Sequence, residues 1–362
     1  MKILLLRDRF SHMGQHSGYD QLSDALLKAD AHEYSSIWRP SKPSSSRFLG
    51  KIRNRYRDNI HATTFYNLSS LQHELAAAWE TYRKPKEVIH ILYLEDTLGF
   101  LPKLRQQFFK KTKLVATAHQ PPSWWKINRL EPHWLDALDA LIVLDSASKE
   151  FMTKYLAAEK IHIIPHGVDT RFFSPQPDVV VSEPIRCLFV GQWLRDFGAF
   201  ERIVDQLSET KPKIQFDMVY MRNATDVQNP RMMRLARNPN VHFHTKLTDN
   251  QLLKCYRKAS LLVLPLLDST ANNAILEAMA TGTPILTSAV GGVPDYLPQN
   301  HKMYIRQGKQ GLCTEALHYL KSYPAEKNII GKVLREKAER EFDWAVIANR
   351  TADLYRKVTL EI

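Results

Sequence analysis

From one end of the chain to the other, short uninterrupted apolar runs alternate with stretches whose apolar positions return every three or four residues. A run without polar alternation suits a strand buried on both faces, and the amphipathic stretches supply the helices that cover it. The pattern predicts βαβ units and mostly parallel sheets, an α/β protein. In the first half the predicted strands are residues 2–6, 88–93, 113–117 and 140–144. Leu22, Ala25, Leu26 and Ala29 mark the buried stripe of a helix after Gly18.

A second series of strands is predicted at 186–191, 214–220, 241–244, 261–265 and 284–287, enough for another sheet. Between the two series the prolines of 174–184 sit in a polar stretch that reads as a linker. The expected organisation is therefore an N-terminal Rossmann-like domain over 1–174, a linker over 175–184, a C-terminal Rossmann-like domain over 185–344 and a last helix over 345–362. A chain of 362 residues exceeds what one core usually organises, which agrees with two domains.

The segment 265–284 carries the most chemistry. It reads as strand, loop, helix and strand, with Asn272 or Asn273 as helix cap and Gly282 as stop before Pro284. A helix start at a sheet's carboxyl edge offers backbone amides and a positive dipole end to a phosphate or to sugar hydroxyls. Glu277, about one turn inside, is placed to accept both hydroxyls of a ribose; its plain alternative is a capping or surface glutamate. The string Glu277-Ala-Met-Ala-Thr-Gly-Thr-Pro284 resembles glycosyltransferase family 4, whose members carry Glu-Ala-Met-Ala-x-Gly-x-Pro here and use that glutamate on the donor ribose. In the family another glutamate stands eight positions earlier, where this chain has Ser269 beside Asp268. That departure implies altered sugar recognition. Gly291 and Gly292, in the loop after the next strand, also match the family and allow a close backbone approach; a plain tight turn fits them equally. At the end of the first strand of this half, Gly191-Gln-Trp-Leu-Arg-Asp-Phe-Gly198 matches the family's diphosphate loop in part. Gln192 and Phe197 take the usual arginine and lysine positions, so Arg195 is the cation expected to meet the phosphates. Asp196-Phe-Gly198 is no kinase element, because the loops that would accompany it are missing.

In the first half, the strand 113–117 delivers His119 at its carboxyl end. By the same resemblance His119 contacts the transferred sugar in the transition state; the alternative is a satisfied loop histidine, among 14 histidines that include His90 and His162. His16 and Gly18 lie where the family has a loop facing the acceptor, although a simple strand-to-helix turn serves as well. Gly167 and Asp169 read as structural, and His166 stays open. The closing segment from Glu341 through Tyr355 resembles the family's last helix, which returns to the N-terminal domain. The resemblance thus implies a GT-B fold, two Rossmann-like domains facing across a cleft. It also implies a retaining hexosyltransferase that uses a nucleoside-diphosphate sugar as co-substrate. With no Asp-x-Asp string and fixed cations aimed at the leaving diphosphate, no metal or other cofactor is expected.

Composition then narrows the setting. No apolar run approaches the roughly 20 residues of a membrane-spanning helix, and the opening apolar run is too short for a signal peptide. Cys187, Cys255 and Cys313 are far apart and fit neither a disulfide framework nor a zinc site, so a reducing cytoplasm is expected. The net charge of +12 favours a polyanionic neighbour. Lys42, Arg47, Lys51, Arg53, Arg55 and Arg57 form one basic stretch, and Lys103, Arg105, Lys110, Lys111 and Lys113 another. Each is either a solvated face or a patch for an anionic membrane surface. A nucleic-acid partner is not expected, since no recognition motif accompanies the charge. A nicotinamide oxidoreductase is disfavoured by the absence of Gly-x-Gly-x-x-Gly. Another GT-B catalyst such as an epimerase or phosphorylase, or a non-catalytic relative, stays as an alternative. The acceptor, a lipid-linked glycan, protein or small molecule, is not legible; bacterial cell-surface polysaccharide or glycolipid synthesis is the expected setting.

Overall fold

The computed structural model describes residues 1–10, 14–29, 32–42, 51, 65–128, 135–176, 184–208, 213–221, 229–305, 314–323 and 325–360. Most of the basic stretch 42–57, most of the linker 175–184 and Cys313 therefore lie outside the described residues. The chain divides into two compact units. Unit 1 comprises Met1–Met13, Gly18–Gly167 and Trp344–Ile362; unit 2 comprises Gly14–Ser17 and Val168–Asp343.

Unit 1 is built on a parallel sheet of β1 (Lys2–Arg7), β2 (Glu33–Trp38), β3 (Val88–Ile91), β4 (Lys113–Ala118), β5 (Ala140–Val143) and β6 (Ile161–Ile163), in the order β2-β1-β3-β4-β5-β6. Strands β3 and β5 are buried along their whole length and β1 from Ile3 onward, as their mainly apolar sequences require. The edge strand β2, Glu-Tyr-Ser-Ser-Ile-Trp, escapes prediction because it is half exposed and carries polar residues. The helix Leu68–Arg83 starts with a capping box in which Asn67 accepts the amides of Ser69 and Ser70. Its buried Glu74 accepts the amides of Gly99, Phe100 and Leu101, which open the helix Leu101–Phe108. The closing helix Trp344–Leu360 lies in unit 1, where Trp344, Ile347, Ala348, Tyr355 and Val358 are buried.

Unit 2 holds a second parallel sheet of β7 (Ile185–Val190), β8 (Ile214–Val219), β9 (Val241–His244), β10 (Leu261–Leu264) and β11 (Ile285–Thr287), in the order β11-β10-β7-β8-β9. Alternate residues of its strands feed two apolar clusters, one on each face. Cys187, Phe189, Leu261 and Val263 point one way, and Leu188, Leu262, Leu264 and Ile285 the other. Both units are thus doubly wound Rossmann-like layers. The strand order of unit 2 reverses between β7 and β10, and ligands of such sheets bind at the carboxyl ends flanking that reversal.

Candidate active site

In unit 2 the carboxyl ends of β7 and β10 carry the segments 191–196 and 265–272. A two-residue bridge between Arg195 and Leu266 joins them. Gly191 turns the chain at φ +86°, and Leu194 takes the left-handed region at φ 55°, an uncommon conformation for a branched residue that accumulates at functional loops. Arg195 folds back beneath this turn. Its Nε donates to the Val190 carbonyl at 2.9 Å, Nη1 to the Trp193 carbonyl at 3.0 Å and Nη2 to Asn272 Oδ1 at 3.4 Å. A guanidinium has five N–H donors, so one on each terminal nitrogen remains for a ligand. Burial pushes its pKa down to about 10, which leaves it charged at neutral pH.

Asn272 caps the helix Asn273–Ala280, its Oδ1 also accepting the Ala274 amide at 3.1 Å. One amide oxygen therefore ties Arg195 to the helix start. On that helix Glu277 is buried, with Tyr256 donating to Oε2 at 2.8 Å and Ser17 donating to Oε1 at 2.7 Å. Burial raises the Glu277 pKa to about 7; the Ser17 and Tyr256 hydroxyls and Arg195 work against that rise, and Asp249 adds to it. The carboxyl is poised to change protonation near neutrality. Ser17 belongs to the tetrapeptide Gly14–Ser17, which Asp249 holds through the amides of Gln15 (2.6 Å) and His16 (3.1 Å). The His16 ring stacks on Phe172 at 3.7 Å, and its Nδ1 lies 2.7 Å from Asp169 Oδ2.

In unit 1, His119 follows β4 at the carboxyl edge. It stacks on Tyr93 at 4.5 Å and meets the edge of Tyr19 at 4.6 Å. Glu95 Oε2 accepts the His119 amide at 3.3 Å, and Glu95 Oε1 lies 3.5 Å from His119 Nδ1. Nearby on the same edge, Arg39 pairs with Asp8 at 2.5 Å and Asp96 at 3.5 Å, and burial raises Asp96 to about 7. These charges follow the carboxyl ends of β1, β2 and β3, the edge at which ligands of doubly wound sheets bind.

Residues 20–172 match the family Glycosyltransferase Family 4, and residues 184–321 match Glycosyl transferases group 1. The chain belongs to glycosyltransferase family 4. Among relatives of this glycosyltransferase, the alpha-maltose-1-phosphate synthase of Mycobacterium tuberculosis is 28% identical over 284 residues, covering 67% of this chain and 73% of the relative. The MMP alpha-(1->4)-mannosyltransferase of Mycolicibacterium hassiacum is 23% identical over 274 residues, covering 69% and 66%. Among solved structures, sucrose-phosphate synthase from Thermosynechococcus elongatus superposes with a TM-score of 0.75 at 20% identity over the whole of both chains. Anabaena HepE, solved with UDP-glucose, gives 0.65 at 16% identity over 99% of this chain and 100% of its own. These superpositions share the GT-B fold.

The structure brings Gly191, Arg195, Asn272, Asn273 and Glu277 to one edge of unit 2, with His16 held beside Asp169 in the same unit. Ser269 is buried, and its carbonyl accepts the Gly292 amide at 2.8 Å. A Cβ on Gly291, which sits at φ +50°, would come within 2.0 Å of that carbonyl. The glycine pair thus packs against the Ser269 loop. Gly18, at φ 106°, precedes the first helix of unit 1, the unit that also holds His119. Of the other histidines named in unit 1, His90 and His166 differ. His90 is buried between Tyr355 Oη (2.6 Å) and Thr117 Oγ1 (2.8 Å), and burial lowers it to about 3. His166 is also pushed down to about 3 by burial and faces the Gly167 carbonyl at 2.7 Å. Sequence reasoning missed Ser17, Tyr256, Asp249, Tyr93 and Glu95. Tyr93 and Glu95 had a signal, since they end and follow the predicted strand 88–93, and Ser17 lies between His16 and Gly18.

Proposed function

We propose that the protein transfers a hexose-type sugar from a nucleoside-diphosphate sugar to an acceptor hydroxyl with retention of anomeric configuration, in assembly of a bacterial cell-surface polysaccharide or glycolipid. The observation that carries this reading is the buried Glu277 carboxyl, with Tyr256 donating to one oxygen, on a helix whose cap also holds Arg195. An ionised carboxylate in that position accepts ribose hydroxyls through its remaining lone pairs. The unused N–H groups of Arg195, with the backbone near Gly191, Ser269, Asn272, Asn273, Gly291 and Gly292, receive the diphosphate and sugar. The relatives support a sugar-transfer role: one makes maltose 1-phosphate by name, another is a mannosyltransferase, and HepE was solved with UDP-glucose.

In the reaction, the acceptor oxygen bonds to the anomeric carbon while the bond from that carbon to the diphosphate breaks. The hydroxyl proton passes to a departing phosphate oxygen. Arg195 and the helix amides stabilise the charge that develops on the diphosphate, which is the work a metal would otherwise do. His119, held between Tyr93 and Tyr19 and beside Glu95, contacts the transferred sugar. His16 and Gly18 serve the acceptor. Activity is expected to persist in EDTA.

The test is a thermal-shift screen with uridine, guanosine and adenosine diphosphate sugars on the native chain and on Glu277→Ala. One donor class should stabilise the native protein and not the variant, and the product anomer read by NMR should match the donor's. A native protein that no nucleotide sugar stabilises would refute the donor site. A product of opposite anomeric configuration would refute retention alone.

A further inference from the structure

Unit 1 carries an aromatic patch that its own core does not explain. On the helix Leu68–Arg83, Trp79 and Tyr82 are 62% and 63% exposed, and Phe108, at the end of the helix Leu101–Phe108, is 54% exposed. The rings form one surface. Trp79 stacks on Tyr82 at 6.4 Å between centroids, and Phe108 meets Tyr82 edge-on at 6.3 Å. Single exposed apolar side chains are ordinary, but three contiguous aromatics exposed by more than half mark a contact surface. Both helices run back toward the amino ends of β3 and β4, so the patch lies at the edge of unit 1 opposite His119.

Charge identifies what covers it. The segments 79–87 and 108–111 contain five cations, Arg83, Lys84, Lys86, Lys110 and Lys111, against two carboxylates, Glu80 and Glu87. Lys86 is buried and lies 3.4 Å from Glu80, and Glu87 accepts the Lys2 amide at 2.7 Å. Arg83, Lys84, Lys110 and Lys111 are exposed around the rings, with Arg83 also over the Trp79 ring at 5.9 Å. The cores of protein interfaces are depleted in lysine. Amphipathic Trp and Tyr side chains instead settle at the headgroup level of a bilayer, and cations beside them are drawn to anionic lipid.

We propose that Trp79, Tyr82 and Phe108, ringed by Arg83, Lys84, Lys110 and Lys111, dock the protein on an anionic lipid bilayer. Docking by this edge leaves the His119 edge turned away from the headgroups. The surface is independent of the donor site, so its failure and the failure of the transferase reading are separable.

The test is co-sedimentation of the full chain with phosphatidylcholine vesicles that contain or lack phosphatidylglycerol. The native chain should pellet with the anionic vesicles only and be released by salt, because the attraction is screened. The triple variant Trp79→Ser, Tyr82→Ser, Phe108→Ser and the charge variant Lys110→Glu, Lys111→Glu should each lose about tenfold or more in partitioning. Each should keep the native thermal midpoint and nucleotide-sugar shift. Lipids with brominated acyl chains should quench native tryptophan emission and quench Trp79→Phe less. The proposal is overturned if the native chain stays in the supernatant with anionic vesicles, or if the triple variant partitions as the native chain does. It is equally overturned if ultracentrifugation shows the patch buried in a self-association that the triple variant abolishes, since a second copy would then be the occupant.

Discussion

At Glu277 the stability of the fold is tied to the protonation of one buried carboxyl. Its pKa rises from 4.5 toward about 7 on folding, so the folded chain holds the proton more tightly than the unfolded chain. The sign follows by linkage: Glu277 does not reduce stability below about pH 4.5, and a penalty grows as the pH rises to about 7. Its ceiling is on the order of 3 kcal/mol. Glu277→Gln, neutral and nearly isosteric, should therefore melt at a higher temperature than the native chain at pH 8, by about 1–3 kcal/mol of stability, with the gap closing toward pH 5. The same variant should lose donor binding. Scanning calorimetry at both pH values checks the first part; equal melting at pH 8 would show that folding does not raise the carboxyl's pKa. His119 makes the complementary case. Its ring is placed by Tyr19, Tyr93 and Glu95, all in unit 1, so His119→Ala should keep nucleotide affinity and lose about 10²-fold or more in turnover. Full turnover in that variant would remove His119 from the mechanism. Glu277 and His119 were readable as residues from strand ends and family strings. Ser17 and Tyr256 were not, because 260 and 21 positions separate them from the carboxyl they touch.

Elements in this chain are placed by close backbone approaches as much as by apolar faces. Gly331 sits inside the helix Ala325–Lys337, where propensity alone makes Ala better by about 1 kcal/mol. A Cβ there would lie 2.3 Å from the Gly282 carbonyl, a backbone atom just beyond the end of the Glu277 helix, and Gly282 itself sits at φ +68°. Overpacking against backbone costs about 1–3 kcal/mol. Gly331→Ala should thus destabilise the protein overall and shift the helix that carries Glu277. Gly198, in the helix Phe197–Ser208, provides the contrast. The atoms nearest its added Cβ are the side-chain ends of Asp196, Arg231 and Arg202, at 3.2–3.5 Å, with no backbone among them. Gly198→Ala should be neutral or stabilising. Urea denaturation of the two variants decides; a harmless Gly331→Ala would mean the two segments can separate at little cost. The sequence does not show that Gly331 is the pinned one, because the backbone it meets, at Gly282, is distant along the chain. The strands, by contrast, were legible wherever both faces are covered. β2 and β6, the two edge strands of the unit 1 sheet, were absent from the predicted strands.

For the whole molecule, chain order and unit membership part company. The last helix, Trp344–Leu360, contributes buried residues to unit 1, and its Tyr355 hydroxyl lies 2.6 Å from His90 in β3. A Cβ on Gly167, the last residue of unit 1 before the chain returns to it at Trp344, would lie within 2.4 Å of the Trp344 ring. Deleting 344–362 should therefore uncover the core of unit 1 and leave His90 without its tyrosine. Hydrogen exchange should then show lost protection in β1–β6 while β7–β11 keep theirs. Uniform loss across both sheets would mean that unit 2 also depends on this helix.

The sequence by itself determined which stretches become strands and helices, because burial on two faces or one writes itself into apolar spacing. It also determined the family, because a strand, a capped helix and a glycine stop must recur together to present an acid at a sheet's edge. Only the tertiary structure decided the company those residues keep: which hydroxyls meet the Glu277 carboxyl, which carbonyls hold Arg195, and that Gly14–Ser17 joins unit 2 while the far end of the chain joins unit 1. Such pairings are set by strand order and backbone proximity, and neither leaves a local mark along the chain.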